Sequence, residues 1–153
     1  VFDVLARGTD EDGPINHGWT YSAHPISAAA GVANLKLVDA LGLVDNARDT
    51  GAYFLETLRA AVADHAHVGE VRGEGLLAAI EFVEDRDSRK FFDPGKKIGA
   101  QVAGALAKRG VIARAMPQGD ILGFAPPLCL TRAEADEIVG RTAEAVAEVL
   151  TAS

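Results

Sequence analysis

The chain has 153 residues, 48% of them hydrophobic, with a formal net charge of -7. That length suits one ordinary domain, or a small domain with part of another, and the apolar content excludes a disordered chain. The acidic balance and scattered lysines and arginines argue against nucleic-acid binding, no apolar run approaches the roughly 20 residues of a membrane span, and Cys129, the only cysteine, excludes an internal disulfide and a cysteine metal cluster.

Val1-Phe2-Asp3-Val4 carries no basic leader ahead of a hydrophobic stretch, and the single cysteine suits a reducing compartment, so a cytoplasmic protein is expected. Residues 7 to 18 concentrate Gly, Pro, Asp and Asn and predict a surface loop. From Pro25 to about Leu41 the apolar positions Ile26, Ala29, Ala30, Ala33, Leu37 and Val38 recur at helical spacing, with Pro25 suited to the first turn and Gly42 to the stop. A second helix is expected to His65, with Val44, Ala47, Gly51, Phe54, Leu55, Leu58 and Val62 on one face. Gly51 weakens it by up to about 1 kcal/mol relative to Ala, so packing must carry the segment.

Val68 to Arg72 and Leu76 to Val83 read as adjacent strands around the turn Gly73-Glu74-Gly75. The charged stretch Glu84 to Gly95 reads as an exposed connection. Ile98, Val102, Ala105 and Leu106 then form a helical stripe, ended by Lys108-Arg109-Gly110. Val111 to Arg114 and Ile121 to Ala125 are strand candidates around a Met-Pro-Gln-Gly loop. Thr131 and Glu134 fit a capping box for a last helix whose face carries Ile138, Thr142, Ala145, Val146 and Val149. This order predicts an α+β fold, with helices covering one face of a small sheet.

Three segments share a resemblance. His17-Gly18-Trp19-Thr20-Tyr21-Ser22-Ala23-His24-Pro25 resembles the aromatic-Thr-Tyr-Ser-Gly-His-Pro signature of class III (omega) aminotransferases. Glu70-Val71-Arg72-Gly73-Glu74-Gly75-Leu76-Leu77 with Ile80-Glu81 resembles that family's V-R-G-x-G-L segment. Leu122-Gly123-Phe124-Ala125-Pro126-Pro127-Leu128, followed by Thr131 and Glu134, resembles its apolar-Pro-Pro-Leu-x-x-T-x-x-E ending. All three stand in the family order and span essentially the whole chain.

The resemblance implies a fold-type I transferase using pyridoxal 5'-phosphate. Residues 1–44 would be the end of the large cofactor-binding domain, with the phosphate-contact loop and connecting helix, and 45–153 the C-terminal small domain. It implies that the backbone at Trp19 and the hydroxyl of Thr20 bind the cofactor phosphate in the second subunit of a homodimer. It also implies that the cofactor-holding lysine lies in an N-terminal remainder of the enzyme, since the chain begins 19 residues before Thr20, which leaves no catalytic residue in this chain. The initial Val fits a fragment. The activity implied is transfer of an amino group from an amine or omega-amino acid to a keto acid such as pyruvate. An aminomutase or decarboxylase relative, or a non-catalytic α+β interaction domain, are the alternatives.

Taken alone, Thr20 could belong to a turn or cap a helix, but a hydroxyl beside main-chain N–H groups is also what a phosphate dianion needs. Trp19, the lone tryptophan, suits a core ring whose backbone serves the site. His17 and His24, seven apart across a proline, do not match metal-ligand spacing. Arg114 stands where amine:pyruvate enzymes of this family carry a mobile, carboxylate-binding arginine, and a guanidinium fork meets a carboxylate bidentately. Gly123 stands where ornithine-type members carry a fixed arginine, which favours the omega-type reading. Arg72 reads as structural, and Lys36, Lys90, Lys96, Lys97 and Lys108 all sit in polar helix-face or loop contexts.

Overall fold

The computed structural model describes residues 2–14 and 18–151, with the side chains of Asp10 and Glu11 outside that description. The chain falls into two compact units, Val1–Leu37 and Val38–Ser153.

The first unit opens with α1 (Phe2–Asp12), where a loop is expected from residue 7 onward. The reason is local: Thr9 Oγ1 donates to the Leu5 carbonyl at 2.8 Å and Arg7 Nε to the Asp3 carbonyl at 3.1 Å, so polar residues that usually compete with helix bond back along it. Gly13, at φ 88, ends the helix by donating its N–H to the Thr9 carbonyl. α2 (Pro25–Ala40) begins at the expected proline, but its apolar face is bare. Ile26, Val32, Leu35 and Leu37 are all exposed, so periodicity locates the helix correctly without telling what covers it.

In the second unit, α3 (Leu43–Val62) buries Phe54, Leu55, Leu58 and Val62 as the spacing predicts, while Val44 stays exposed. Its Gly51 is explained by packing. A Cβ there would lie 2.2 Å from the Gly75 carbonyl carbon, because the turn between the first two strands rests directly on this helix. β1 (Val68–Glu74) and β2 (Leu77–Phe82) pair antiparallel through that turn. α4 (Ile98–Lys108) buries Ile98, Val102, Ala105 and Leu106 as expected. β3 spans only Arg114–Ala115 rather than Val111 to Arg114. Its partner β4 (Ile121–Phe124) runs into Ala125-Pro126-Pro127, and the register that sets Gly123 opposite Arg114 would bring Pro126 opposite Val111, where it cannot donate to the ladder. α5 (Arg132–Leu150) starts with a complete capping box, Thr131 and Glu134 each bonding the other's backbone N–H.

The sheet is antiparallel in the order β1-β2-β4-β3. One face carries Val71, Ile80, Leu122 and Phe124 into a core with Phe54, Leu58, Val102, Leu106 and Val146. α3 and α4 cover this face, and α5 packs on both helices. Tyr53 Oη donates to Asp136 at 2.5 Å, joining α3 to α5, and Arg109 pairs with Glu148 at 2.7 Å, joining α4 to α5. Among the described residues of this unit no helix covers the other face, which carries the candidate site.

Where α3 leads into β1, His65 is half-buried and its Nδ1 accepts the His67 N–H at 3.3 Å. Burial, then the neighbouring His67, holds its pKa below the ordinary 6.5. The unfolded chain therefore takes up this proton first, so the contribution is complete above the ordinary histidine range and declines as pH falls through it. Stability is expected to drop on titration from pH 7 to 5, and His65→Gln to flatten that part of the profile in denaturant melts.

Candidate functional site

In the first unit, the Ser22 N–H donates to the Trp19 carbonyl at 3.0 Å, closing a turn with Thr20 and Tyr21 at its corner. Residues Gly18 to Ser22 line a cavity of about 550 Å³. The turn feeds directly into α2: the His24 carbonyl accepts from Ala28, and its ring Nδ1 lies 3.4 Å from the Ser27 N–H. His24 thus stands at the start of α2, while His17 lies outside the described residues. Trp19 is 69% exposed, so its ring does not sit in the core expected for it. Neither the hydroxyl nor the N–H of Thr20 has a protein partner among the described residues, leaving both donors available to an acceptor such as a phosphate oxygen.

In the second unit, one cross-strand row runs over the open face of the sheet. Arg72 on β1 faces Ala79 on β2, Ala79 faces Gly123 on β4, and Gly123 faces Arg114 on β3. Residues paired in this way project to the same side. Two arginines therefore flank a floor of small residues, and a cavity of about 870 Å³ opens over it, walled by Leu77, Ile112 and Met116.

The arginines differ in what they are free to do. Arg72 Nη1 donates to Glu81 at 2.7 Å and to Glu70 at 2.6 Å, and these bonds, Glu81 first, raise its pKa above the ordinary value. Since Glu70 and Glu81 are themselves directly opposite in the ladder, the guanidinium neutralises two facing carboxylates. The structural reading of Arg72 is borne out. Arg114 is exposed and makes no ion pair or side-chain hydrogen bond among the described residues. An unpaired guanidinium beside an apolar cavity can receive a carboxylate bidentately.

The backbone around Arg114 is tied down. The Met116 N–H donates to the Ile121 carbonyl at 2.9 Å. Asp120 closes the loop, its carboxylate accepting the Gly99 N–H at 3.0 Å and its carbonyl the Phe82 N–H at 2.8 Å. Sequence reasoning missed the Glu70–Arg72–Glu81 cluster and the place of Met116. The signals available were the two-residue spacings Glu70/Arg72 and Arg114/Met116, which put each pair on one side of a strand. Lys90 and Lys96 are engaged with Glu84 on the exposed connection. No group of His, Cys, Asp or Glu able to hold a metal occurs among the described residues, and no single helix there is long and apolar enough to cross a membrane.

The family model for class-III aminotransferases matches residues 5–146. The chain belongs to the class-III aminotransferase family. It is 56% identical over 149 residues to the diaminobutyrate–2-oxoglutarate transaminase of Halomonas elongata, covering 97% of this chain and 32% of that protein. To the putrescine–pyruvate aminotransferase of Pseudomonas aeruginosa it is 31% identical over 139 residues, covering 91% and 30%. The chain thus spans about a third of the length of these curated relatives. Among solved structures, a transaminase from directed evolution by ancestral reconstruction superposes with a TM-score of 0.93 at 55% identity, covering 99% of this chain and 33% of the other. An (S)-enantioselective omega-transaminase from Thermomicrobium roseum superposes at 0.87 with 38% identity, covering 97% and 33%. The α+β fold is that of the corresponding part of fold-type I transaminases.

Proposed function

We propose that the complete protein is a pyridoxal-phosphate-dependent aminotransferase that moves an amino group from an amine or omega-amino acid to a keto acid. Residues 1–44 then belong to its large domain and 45–153 to its small domain. The observation that carries this reading is the unpaired Arg114 guanidinium at the end of the Arg72–Ala79–Gly123–Arg114 row, beside an apolar cavity. Gly123, opposite it, places no second cation there, so one movable charge serves the acceptor's carboxylate and leaves apolar walls for an uncharged donor. The two relatives' names pair donors bearing a terminal amine with 2-oxoglutarate or pyruvate, which supports a carboxylate-bearing keto acid as the acceptor.

Pyridoxal phosphate, when bound, supplies the electron sink and carries the amino group between substrates. The free Thr20 hydroxyl and N–H fit its phosphate, and the Trp19 backbone stands beside them in the same turn. These groups anchor and orient. The lysine that transfers protons belongs, on this reading, to the N-terminal remainder of the enzyme. Transfer of amine to pyruvate by the complete protein, assayed with a terminal diamine donor, tests the activity, and absence of turnover with any amine overturns it.

Thr20 is proposed to act across the interface of a homodimer. Thr20→Ala removes one hydrogen bond to a charged group, about 1.5–3 kcal/mol, and is expected to weaken cofactor retention roughly 10- to 150-fold with the fold intact. Mixed dimers with a variant lacking the cofactor-holding lysine locate the effect. Retention that follows the neighbour's Thr20 supports the cross-subunit role, and retention that follows the same chain's Thr20 refutes it.

A further inference from the structure

β3 and the residue after it present Arg114 and Met116 to one side of the sheet, and β4 presents Gly123 directly opposite Arg114. A Cβ at position 123 would lie 2.8 Å from the Met116 Cε and 3.7 Å from the Arg114 carbonyl oxygen. The thioether methyl therefore already fills the hollow that the glycine leaves. Met116 is held by its backbone, through the bond to Ile121, whereas its side chain is unbranched and able to turn about its own bonds.

Resting on the reading of Arg114 as the carboxylate clamp, we propose that Met116 is a specificity-determining residue. Its side chain lies on Gly123 as a movable plug and sets how large an apolar substituent fits beside Arg114, admitting arylalkyl or long-chain substrates when it turns aside. The arrangement is reciprocal. A methyl group at position 123 meets the far end of a flexible side chain rather than backbone, so it pushes the thioether into the cavity without disturbing the ladder. Truncation at position 116 empties the hollow instead.

The test uses the complete, cofactor-loaded enzyme and two readouts: kcat/KM for 1-(1-naphthyl)ethylamine relative to isopropylamine, and the Kd of 4-phenylbutyrate, an inert carboxylate with an apolar tail. Met116→Ala is expected to raise the kcat/KM ratio about tenfold and Gly123→Ala to lower it about tenfold, in the range that a few methylene groups command in an apolar pocket. In the double variant the Gly123→Ala penalty should shrink to about twofold or less, with the 4-phenylbutyrate Kd following the same pattern. A ratio unchanged by Met116→Ala, or a Gly123→Ala penalty of equal size with and without Met116, overturns the proposal. Should Gly123→Ala fail to fold, Met116→Phe replaces it: a lowered ratio supports the plug and an unchanged one overturns it. Arg114→Ala in the same assays separates the two readings. If the clamp fails, pyruvate kinetics stay normal while the coupling of positions 116 and 123 persists; if the plug fails, the coupling vanishes while pyruvate turnover is still impaired.

Discussion

Arg114→Ala in the complete enzyme is expected to slow the keto-acid half-reaction by roughly 10- to 150-fold and to leave the half-reaction with a carboxylate-free amine within about twofold of normal. The size is that of a hydrogen bond to a charged group, about 1.5–3 kcal/mol. It follows from a guanidinium with no ion pair or side-chain hydrogen bond among the described residues, so that its removal strands no carboxylate elsewhere in the chain. Arg72→Ala provides the contrast, because it leaves Glu70 and Glu81 facing each other unneutralised and damages the sheet. Arg114→Lys keeps the charge but not the fork, and should recover only part of the loss. Single-turnover absorbance measurements on each half-reaction decide the matter: equal slowing of both means a structural role, and slowing of neither means a bystander on the surface.

The second large effect is on stability. Gly51→Ala improves intrinsic helix propensity by about 1 kcal/mol, yet it should destabilise the protein, because its Cβ would stand 2.2 Å from the Gly75 carbonyl carbon and 2.3 Å from its oxygen. Backbone rather than a side-chain end must then move, and overpacking of this kind costs about 1–3 kcal/mol and sometimes more. Gly104→Ala is the matched control, since that glycine lies in α4 with nothing within 4 Å of a new Cβ, and it should raise stability slightly. Thermal melts should therefore move in opposite directions for the same chemical change. A Gly51→Ala protein as stable as the parent would mean that helix and turn are not pressed together.

The contrast between these glycines shows what was legible in the sequence. Gly51 and Gly104 look alike there, both small residues inside helical spacing, and only the approach of Gly75 separates them. The capping box at Thr131 and the stripe from Ile98 to Leu106 were legible because their causes are local, lying within one or two turns of chain. α1 was not, since its polar residues turn their side chains back onto their own carbonyls instead of breaking the helix. That β3 does not reach back to Val111 reflects Pro126, more than ten residues further on, which comes opposite Val111 only once the sheet exists. Thr20 and Arg114 stand as candidates through motifs alone. The Arg72–Ala79–Gly123–Arg114 row needed a register, which no single strand reveals.

The fastening of the β3–β4 loop bears on how fast the proposed clamp would respond. Although the loop contains Gly119, the Ile121, Gly99 and Phe82 bonds hold both its ends, at Met116 and at Asp120. If Arg114 is the proposed clamp, it would swing by rotation about its own side-chain bonds, a motion of picoseconds to nanoseconds, whereas a loop needs up to microseconds and a lid longer still. Turnover at about 1–10³ per second is slower by at least five orders of magnitude. On the proposed reading, alternation between charged and uncharged substrates would cost the enzyme no waiting time, and a viscous solvent should slow the clamp far less than it slows substrate arrival.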